Sequence, residues 1–406
     1  MNSKSLALAL LGCTAAGVVL YPAYQDAGAA NPVLPDPVAG NLHPGAILTS
    51  DRPKVEVVFV LDTTGSMGGL IQAAKDKIWS IATSMAQAQP APEIRIGLVA
   101  YRDRGDSYVT RVVDLSTDLD SLYATLMEFQ AGGGGDGPES VNRALYDAVH
   151  KVSWSQDDNA YRVVFLVGDA PPHMDYQDDV KYPVTLAAAR RRGILVNAIQ
   201  CGSSRDTART WQRVAQLGQG EYLQVDQSGG AVAIATPFDE KLASLSAQLD
   251  DTRLYYGSEE QKQRQQRKLE ATEKLHAASS VASQARRATF NASASGAANL
   301  LGKGELVEDV ASGRVDLSRI EREALPASLQ AMSPQEQQVL IEQTARRRNA
   351  LKDEIRQLAE QRATYLRQKV QEAGGAHDSL DEKIYSAVRA QASKRGLSYE
   401  TGAPSY

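Results

Sequence analysis

The sequence predicts an α/β fold in which a doubly wound, mostly parallel central sheet is followed by an α-helical, coiled-coil-like C-terminal region. Apolar runs such as Val55–Val60 and Ile194–Gln200 have no polar face, as is typical of central strands in a parallel sheet. Segments with helical spacing of apolar residues alternate with these runs, which favours helices on both faces of the sheet. From about Ser258 the composition shifts to Gln, Arg, Lys, Glu and Ala, with few β-branched residues.

The first thirty residues have the composition of an export signal, with a single early charge at Lys4 and an apolar core at Leu6–Leu11. The residues around Cys13 are similar to a bacterial lipobox, in which the cysteine becomes lipidated. Ala27–Ala29 would suit ordinary cleavage instead, and an uncleaved anchor is the third reading. All three predict that the protein lies outside the cytoplasm, in the periplasm, in the cell envelope or secreted, with a lipid anchor to the membrane in the first case.

Residues 31–53 are rich in Pro and Gly and are interpreted as a tether. The whole chain has 406 residues, enough for two to three structural units. Its two cysteines, Cys13 and Cys201, exclude a disulfide framework. A net charge of −5 gives no reason to expect a nucleic-acid partner.

Residues 54–252 form the predicted α/β domain. Strands are predicted at Val55–Val60, Ile94–Tyr101, Tyr108–Leu115, Tyr161–Val167, Ile194–Gln200 and Glu221–Val225. Helices are predicted at Leu70–Met85, Asp118–Phe129, Glu139–Val152, Asp179–Arg192, Asp206–Leu217 and Pro237–Leu249. The third strand alternates most clearly with polar residues and is therefore expected at an edge of the sheet.

Residues 253–406 are predicted to be helical, with helices at Ser258–Phe290, from Ser333 to about Ala373, and at Leu380–Lys394. Ser333 and Glu336 have the spacing of a capping box. The apolar spacing near Leu351 favours a helical hairpin or coiled coil more than a globular core. We interpret this region as a stalk or homo-oligomerisation element, with a partner-binding surface as the alternative.

Asp62, Thr64 and Ser66 follow the first strand directly and precede a helix. In open α/β sheets, ligands bind at the carboxyl ends of the strands. Three oxygen side chains at alternate positions of a tight loop suit Mg²⁺, Mn²⁺ or Ca²⁺. Helix capping is the alternative role for these residues. A single carboxylate cannot hold the ion alone, so other strand ends must supply further oxygens.

Residues 62–66, DTTGS, resemble the D-x-[ST]-x-S pattern of the metal-ion-dependent adhesion site in von Willebrand factor type A domains. A Gly-rich loop at Ala131–Ser140 and a strand end at Val163–His173 are similar to the second and third segments of that site, in the family's order. The resemblance covers roughly residues 54–252 and implies the same doubly wound fold.

The resemblance also implies a ligand set. It assigns Asp62, Thr64 and Ser66 to the first segment and Asp169 to the third. In the second segment this chain departs from the commoner Thr and has Asp136 at or next to that position, which adds negative charge beside the ion. His173 is expected to form hydrogen bonds near the site rather than to ligate the metal.

The expected function is metal-dependent protein binding, in which an acidic side chain of a partner completes the coordination shell of the cation. One alternative is a structural envelope protein that assembles through its C-terminal helices, with a metal that only stabilises the fold. A metal-dependent hydrolase is the third reading. The start Asp62-Thr63-Thr64 resembles that of haloacid-dehalogenase-type phosphatases, but Thr64 replaces the usual general acid. We therefore expect no enzymatic activity.

Overall fold

A computed structural model describes residues 52–135, 137–228, 234–372 and 379–399. The predicted export signal, the lipidation site Cys13 and the predicted ligand Asp136 lie outside these residues, as does nearly all of the tether. Within the described ranges, none of the helices combines the length and the hydropathy that a membrane crossing requires.

The sheet has six strands in the order β3-β2-β1-β4-β5-β6. Their bounds are β1 Lys54–Asp62, β2 Glu93–Tyr101, β3 Thr110–Ser116, β4 Tyr161–Gly168, β5 Ile194–Cys201 and β6 Gln219–Val225. β1 pairs in parallel with both β2 and β4, while β3 runs antiparallel to β2 at the edge. The predicted mostly parallel sheet and its edge strand are confirmed.

Helices cover both faces of this sheet. They are α1 Gly68–Ala86, α2 Leu119–Glu128, α3 Val141–His150, α4 Tyr182–Arg191, α5 Arg205–Leu217 and α6 Asp239–Asp250. Alternate residues of β1 face opposite cores: Phe59 belongs to the same buried cluster as Trp79 of α1, whereas Val60 belongs to the cluster that contains Leu145 of α3 and Trp211 of α5. Burial on both faces explains why the central strands are apolar without alternation.

The chain after residue 252 is helical, as predicted, with more breaks than its composition indicates. Its helices are α7 Glu259–Ala278, α8 Val281–Ala292, α9 Ala297–Leu301, α10 Leu306–Ala311, α11 Ala327–Gln330, α12 Pro334–Glu372 and α13 Leu380–Ala392. The single helix predicted for Ser258–Phe290 is divided because Ser279 and Ser280 are extended and Ser280 accepts a hydrogen bond from the backbone of Ser283. The capping box of α12 is present, since Ser333 N donates to Glu336 and Glu336 N donates to Ser333 Oγ.

These helices do not extend as a stalk. α8 packs on α1 and α6, α7 packs on α2, and α12 packs on α6 and α8. Leu351 and Ile355 of α12 share a buried cluster with Leu242 of α6 and Ala288 of α8. The apolar spacing near Leu351 therefore faces the chain's own helices, which corrects the expectation of a hairpin or coiled coil without a globular core.

α13 covers the sheet beside α1. Its residues Leu380, Ile384 and Val388 belong to the same core cluster as Phe59 of β1. A buried ion pair, Lys77 Nζ to Asp381 Oδ2 at 3.0 Å, also joins α1 to α13. The core of the α/β unit is therefore completed by a helix that follows the last strand of the sheet only much later in the chain, since β6 ends at Val225 and α13 begins at Leu380.

Candidate metal centre

Two of the predicted acidic ligands lie at the ends of neighbouring strands. β1 ends at Asp62, and Asp169 directly follows β4. Because β1 and β4 are paired in parallel, both carboxylates lie at the same edge of the sheet. Thr64 and Ser66 lie on the short turn between β1 and α1. The structure thus brings together the four predicted ligands that it describes.

The oxygens of the first segment lie close together. Asp62 Oδ1 accepts hydrogen bonds from the backbone N of Thr64 at 2.9 Å and from Thr64 Oγ1 at 2.6 Å. Thr64 Oγ1 lies 3.5 Å from Ser66 Oγ. Neither the turn at Gly65–Met67 nor α1 has a side-chain cap hydrogen bond. The hydroxyls of Thr64 and Ser66 are therefore not used for capping, which was the alternative role for this segment.

The second oxygen of Asp62 has no hydrogen-bond partner. Asp62 is completely buried, and its Oδ2 atom is unsatisfied among the described residues. Burial raises the pKa of Asp62 to about 7, and the charge of Asp169 contributes to the increase. A buried carboxylate without a compensating charge is unfavourable, and a cation at this position would compensate it.

Asp169 is held by two polar contacts from other elements. Gln227 Nε2 donates to Asp169 Oδ2 at 2.6 Å and contacts the carbonyl of Ser66 at 3.2 Å. Thr207 Oγ1 donates to the carbonyl of Asp169 at 2.9 Å. Sequence reasoning missed Gln227, although it follows β6 and so lies at the same edge of the sheet, which was the available signal.

The Gly-rich loop of the second segment is pressed against the first. Gly65 N donates to the carbonyl of Gly133 at 3.1 Å, and Gly132 N donates to the carbonyl of Thr63 at 3.1 Å. Gly134 has a φ of +79°, and a Cβ there would lie 3.3 Å from Thr64 Cβ. The loop is therefore placed beside the candidate ligands, although Asp136 itself lies outside the described residues.

His173 is buried between two carboxylates. Its Nδ1 lies 2.8 Å from Asp175 Oδ1, and its Nε2 lies 3.2 Å from Asp103 Oδ2. Asp103 also accepts from Ser140 Oγ at 2.8 Å and from Tyr176 OH at 2.8 Å. These contacts fit the expectation that His173 forms hydrogen bonds near the site. Ser140 stands at the N-cap position of α3 but makes no side-chain cap hydrogen bond there, and its hydroxyl donates to Asp103 instead.

A cavity of about 430 Å³ opens at this edge of the sheet. Ser66, Glu139, Asp169 and Thr207 are among the residues that line it. Across the described ranges, no group of three or more His, Cys, Asp or Glu is arranged to hold a metal. The candidate centre instead combines two carboxylates with two hydroxyls, an all-oxygen set that suits a hard cation such as Mg²⁺.

Sequence comparison relates this part of the chain to known proteins. The family described as von Willebrand factor A domain matches residues 56–237. The von Willebrand factor A domain-containing protein 7 of Rattus norvegicus is 40% identical over 120 residues, which are 30% of this chain and 12% of that protein. The alpha-protein kinase vwkA of Dictyostelium discoideum is 30% identical over 120 residues, 29% of this chain and 19% of the kinase. The chain thus spans less than a fifth of the length of these relatives.

Solved structures with a similar fold include the VWA domain of SpRpn10, with a TM-score of 0.33 and 11% identity over 43% of this chain and 89% of that one. Proximal thread matrix protein 1 from the mussel byssus, solved with zinc in its metal-ion-dependent adhesion site (MIDAS) motif, has a TM-score of 0.34 and 16% identity. That match covers 43% of this chain and 42% of the mussel protein.

Proposed function

Because residues 56–237 form a von Willebrand factor A domain, we propose that this protein binds a divalent cation at the carboxyl edge of its sheet and uses it to bind a partner protein. The observation that carries the proposal is the buried Oδ2 atom of Asp62, which has no hydrogen-bond partner among the described residues. A bound cation would neutralise this carboxylate and the neighbouring Asp169 together.

The residues proposed to hold the ion are Asp62, Thr64, Ser66 and Asp169, with Asp136 as a fifth ligand from the Gly-rich loop. The oxygen-only set favours Mg²⁺, with Mn²⁺ and Ca²⁺ as alternatives. The ion would supply a positive charge that an acidic side chain of the partner can bind. The cavity beside Ser66 and Asp169 offers space for such a side chain.

We propose binding rather than catalysis. Thr64, which stands where a haloacid-dehalogenase-type enzyme would have its general acid, donates its hydroxyl to Asp62 at 2.6 Å. His173 is flanked by Asp103 and Asp175 at 3.2 Å and 2.8 Å. Neither Thr64 nor His173 is among the residues that line the neighbouring cavity, where a substrate would have to lie.

The proposed location is extracytoplasmic, on the strength of the export-signal composition of residues 1–30, with lipidation at Cys13 as the proposed anchor. A purely structural role through the C-terminal helices is the second candidate. It is less favoured because Leu351, Ile355 and Leu380 pack within the chain's own cores. Those apolar residues are not available to assemble copies of the chain.

Calorimetric titration of the full chain with Mg²⁺ and Mn²⁺ tests the first part of the proposal. We expect saturable binding at one site that is lost in Asp62→Ala. Asp353→Ala is the matched control, because it removes one carboxylate from the exposed surface of α12, where Asp353 pairs with Arg356. Absence of binding in the wild type, or equal loss in both variants, would contradict a cation site at this edge.

A carboxylate probe tests the second part. With Mn²⁺ bound, water-proton relaxation reports the waters that remain on the ion. A short peptide containing Glu should lower the relaxation enhancement, whereas the same peptide with Gln should leave it unchanged. If both peptides act alike, the proposed capture of an acidic side chain is wrong even where the cation binds.

A further inference from the structure

The opposite edge of the sheet holds a pocket of about 540 Å³. Arginine side chains dominate its lining: Arg162, Arg190, Arg191, Arg192 and Arg395. Asp158 is the one carboxylate among the lining residues. This concentration of positive charge stands out in a chain whose net charge is −5. It also lies at the amino ends of β4 and β5, away from the candidate metal centre.

The arginines reach this pocket from three separate elements. Arg162 is the second residue of β4, Arg190–Arg192 lie at the last turn of α4 and the residue after it, and Arg395 follows α13. Basic residues are common at the carboxyl end of a helix, where they stabilise the helix dipole. This explains the presence of the arginines at the end of α4 only. It does not explain why Arg162 and Arg395 face the same space.

Few of these charges are neutralised by the protein. Arg190 and Arg191 are exposed and make no ion pair with any residue that the structure describes. Arg162 is buried, and its guanidinium donates to the backbone carbonyls of Ser155, Asp157 and Arg192. Arg395 Nη1 also donates to a carbonyl, that of Asp158, at 3.1 Å.

The nearest carboxylate to Arg162 is shared with another arginine. Glu56 Oε2 lies 3.7 Å from Arg162 Nε, while Glu56 Oε1 accepts from Arg95 Nη1 at 2.6 Å. One carboxylate thus balances parts of two guanidinium charges. The pocket is left with a positive potential that would attract anions.

Gly193 keeps the floor of the pocket open. A Cβ at this position would lie 3.6 Å from Arg162 Nη1 and 3.6 Å from Arg395 Nη2. The φ of Gly193 is +65°, which also favours glycine. Two guanidinium groups from distant parts of the chain therefore face one small space that no side chain fills.

We propose that this pocket binds a multiply charged phosphoryl anion. Guanidinium groups bind phosphoryl oxygens through paired, charge-assisted hydrogen bonds. A phosphoryl group presents three oxygens in a tetrahedral arrangement, so arginines that approach from three elements can contact it together. A carboxylate has only two oxygens, which lie in one plane, and can therefore accept hydrogen bonds from fewer of these arginines. The cavity volume also falls in the range of small-molecule sites.

Calorimetry of the full chain with tripolyphosphate, in buffer without divalent metal, tests the proposal. We expect saturable binding that weakens as salt is raised. The double variant Arg190→Ala/Arg191→Ala should lose about tenfold or more in affinity. Arg346→Ala/Arg347→Ala is the matched control, since it removes two adjacent exposed arginines from α12. Replacement of Arg190 and Arg191 by Lys should give an intermediate loss, because the charge stays and the paired donors do not.

Further titrations distinguish the source of the phosphoryl group. Binding of tripolyphosphate indicates a free anion, whereas binding only to phosphatidylcholine vesicles that contain phosphatidic acid indicates a lipid headgroup. Citrate should bind much more weakly than tripolyphosphate. The proposal is overturned if neither phosphoryl probe binds, if citrate binds equally well, or if the control variant loses as much affinity as the pocket variant.

Discussion

Asn197 of β5 and Gln391 of α13 exchange a pair of hydrogen bonds inside the protein. Gln391 Nε2 donates to Asn197 Oδ1 at 2.7 Å, and Asn197 Nδ2 donates to Gln391 Oε1 at 3.2 Å. Tyr161 OH adds a hydrogen bond to Gln391 Oε1 at 2.8 Å, and the backbone N of Glu221 donates to Asn197 Oδ1 at 2.7 Å. Because a shift of α13 would break several buried hydrogen bonds at once, the pair fixes its position on the sheet.

Replacement of Gln391 by Ala should destabilise the protein by about 2–4 kcal/mol, because the buried amide of Asn197 and the hydroxyl of Tyr161 lose partners. Urea unfolding of the full chain measures this. Arg389→Ala, at an exposed position of the same helix, is the control and should change stability by less than about 0.5 kcal/mol. Equal effects of the two variants would mean that the amide pair does not fix α13.

Removal of α13 should prevent formation of a stable sheet domain. Leu380, Ile384 and Val388 are each buried to 97% or more in the core beside α1. Burial of each such side chain contributes about 1.5–3 kcal/mol, so their loss is comparable to the stability of a whole domain. A chain that ends at residue 378 should bind an apolar dye and lose its sharp thermal transition. An unchanged cooperative transition would show that residues 54–252 fold without α13.

Arg287 of α8 lies between two carboxylates of different helices. Its guanidinium contacts Asp120 of α2 at 2.6 Å and Asp250 of α6 at 2.7 Å, and all three side chains are buried. Burial alone would raise the pKa of Asp120, but the charge and hydrogen bonds of Arg287 outweigh it and hold that pKa well below its ordinary value. The pKa of Asp250 is lowered for the same reason.

The wild type should therefore lose stability in acid. Since both carboxyls have lowered pKa values in the folded state, their contribution is complete above the unfolded pKa of about 4 and is lost as pH falls below it. Arg287→Met should cost about 3–5 kcal/mol at pH 7, because the guanidinium between two buried carboxylates is lost. Asp250 keeps His276 and Arg253 as neighbours, and Asp120 keeps Lys268, so both pKa values should be less strongly lowered than in the wild type. The variant should therefore lose less stability than the wild type as pH falls below about 4, which a thermal melt series in pH measures. An equal or steeper loss in the variant would contradict this account.

The sequence predicted the parts of the fold that depend on local patterns. The uninterrupted apolar strands, the polar edge strand β3 and the short polar turn at Asp62 are each set by residues that are close in the chain. Parallel strands end at a common edge, so the positions of Asp62 and Asp169 could be related from the sequence alone.

The remaining features depend on contacts between distant residues. Gln391 lies in a segment with ordinary helical composition, and nothing nearby indicates that it pairs with Asn197, 194 residues away. Gln227 and Asp103 have polar side chains in loops, which is common on any surface. Their contacts with Asp169 and His173 become visible only when the strand ends are brought together.

Replacement of Asp62 by Asn separates the metal role of this residue from a structural role. The amide oxygen of Asn can still accept the hydrogen bonds that Thr64 donates. Without metal, the pKa of Asp62 is raised to about 7 in the folded state, so the wild type should lose stability as pH rises from about 4 through 7. At pH 8 that loss is at most about 4 kcal/mol, and Asn avoids it.

We therefore expect metal-free Asp62→Asn to melt at the same or a higher temperature than the wild type at pH 8. Addition of Mg²⁺ should raise the melting temperature of the wild type, because the ion binds only the folded state and so stabilises it. The melting temperature of the variant should stay unchanged, because the variant has lost the binding site. Asp353→Asn, with the same change of charge on the exposed surface of α12, should respond to Mg²⁺ as the wild type does. A lower melting temperature for metal-free Asp62→Asn, together with a retained response to Mg²⁺, would instead assign Asp62 to the stability of the turn that begins α1.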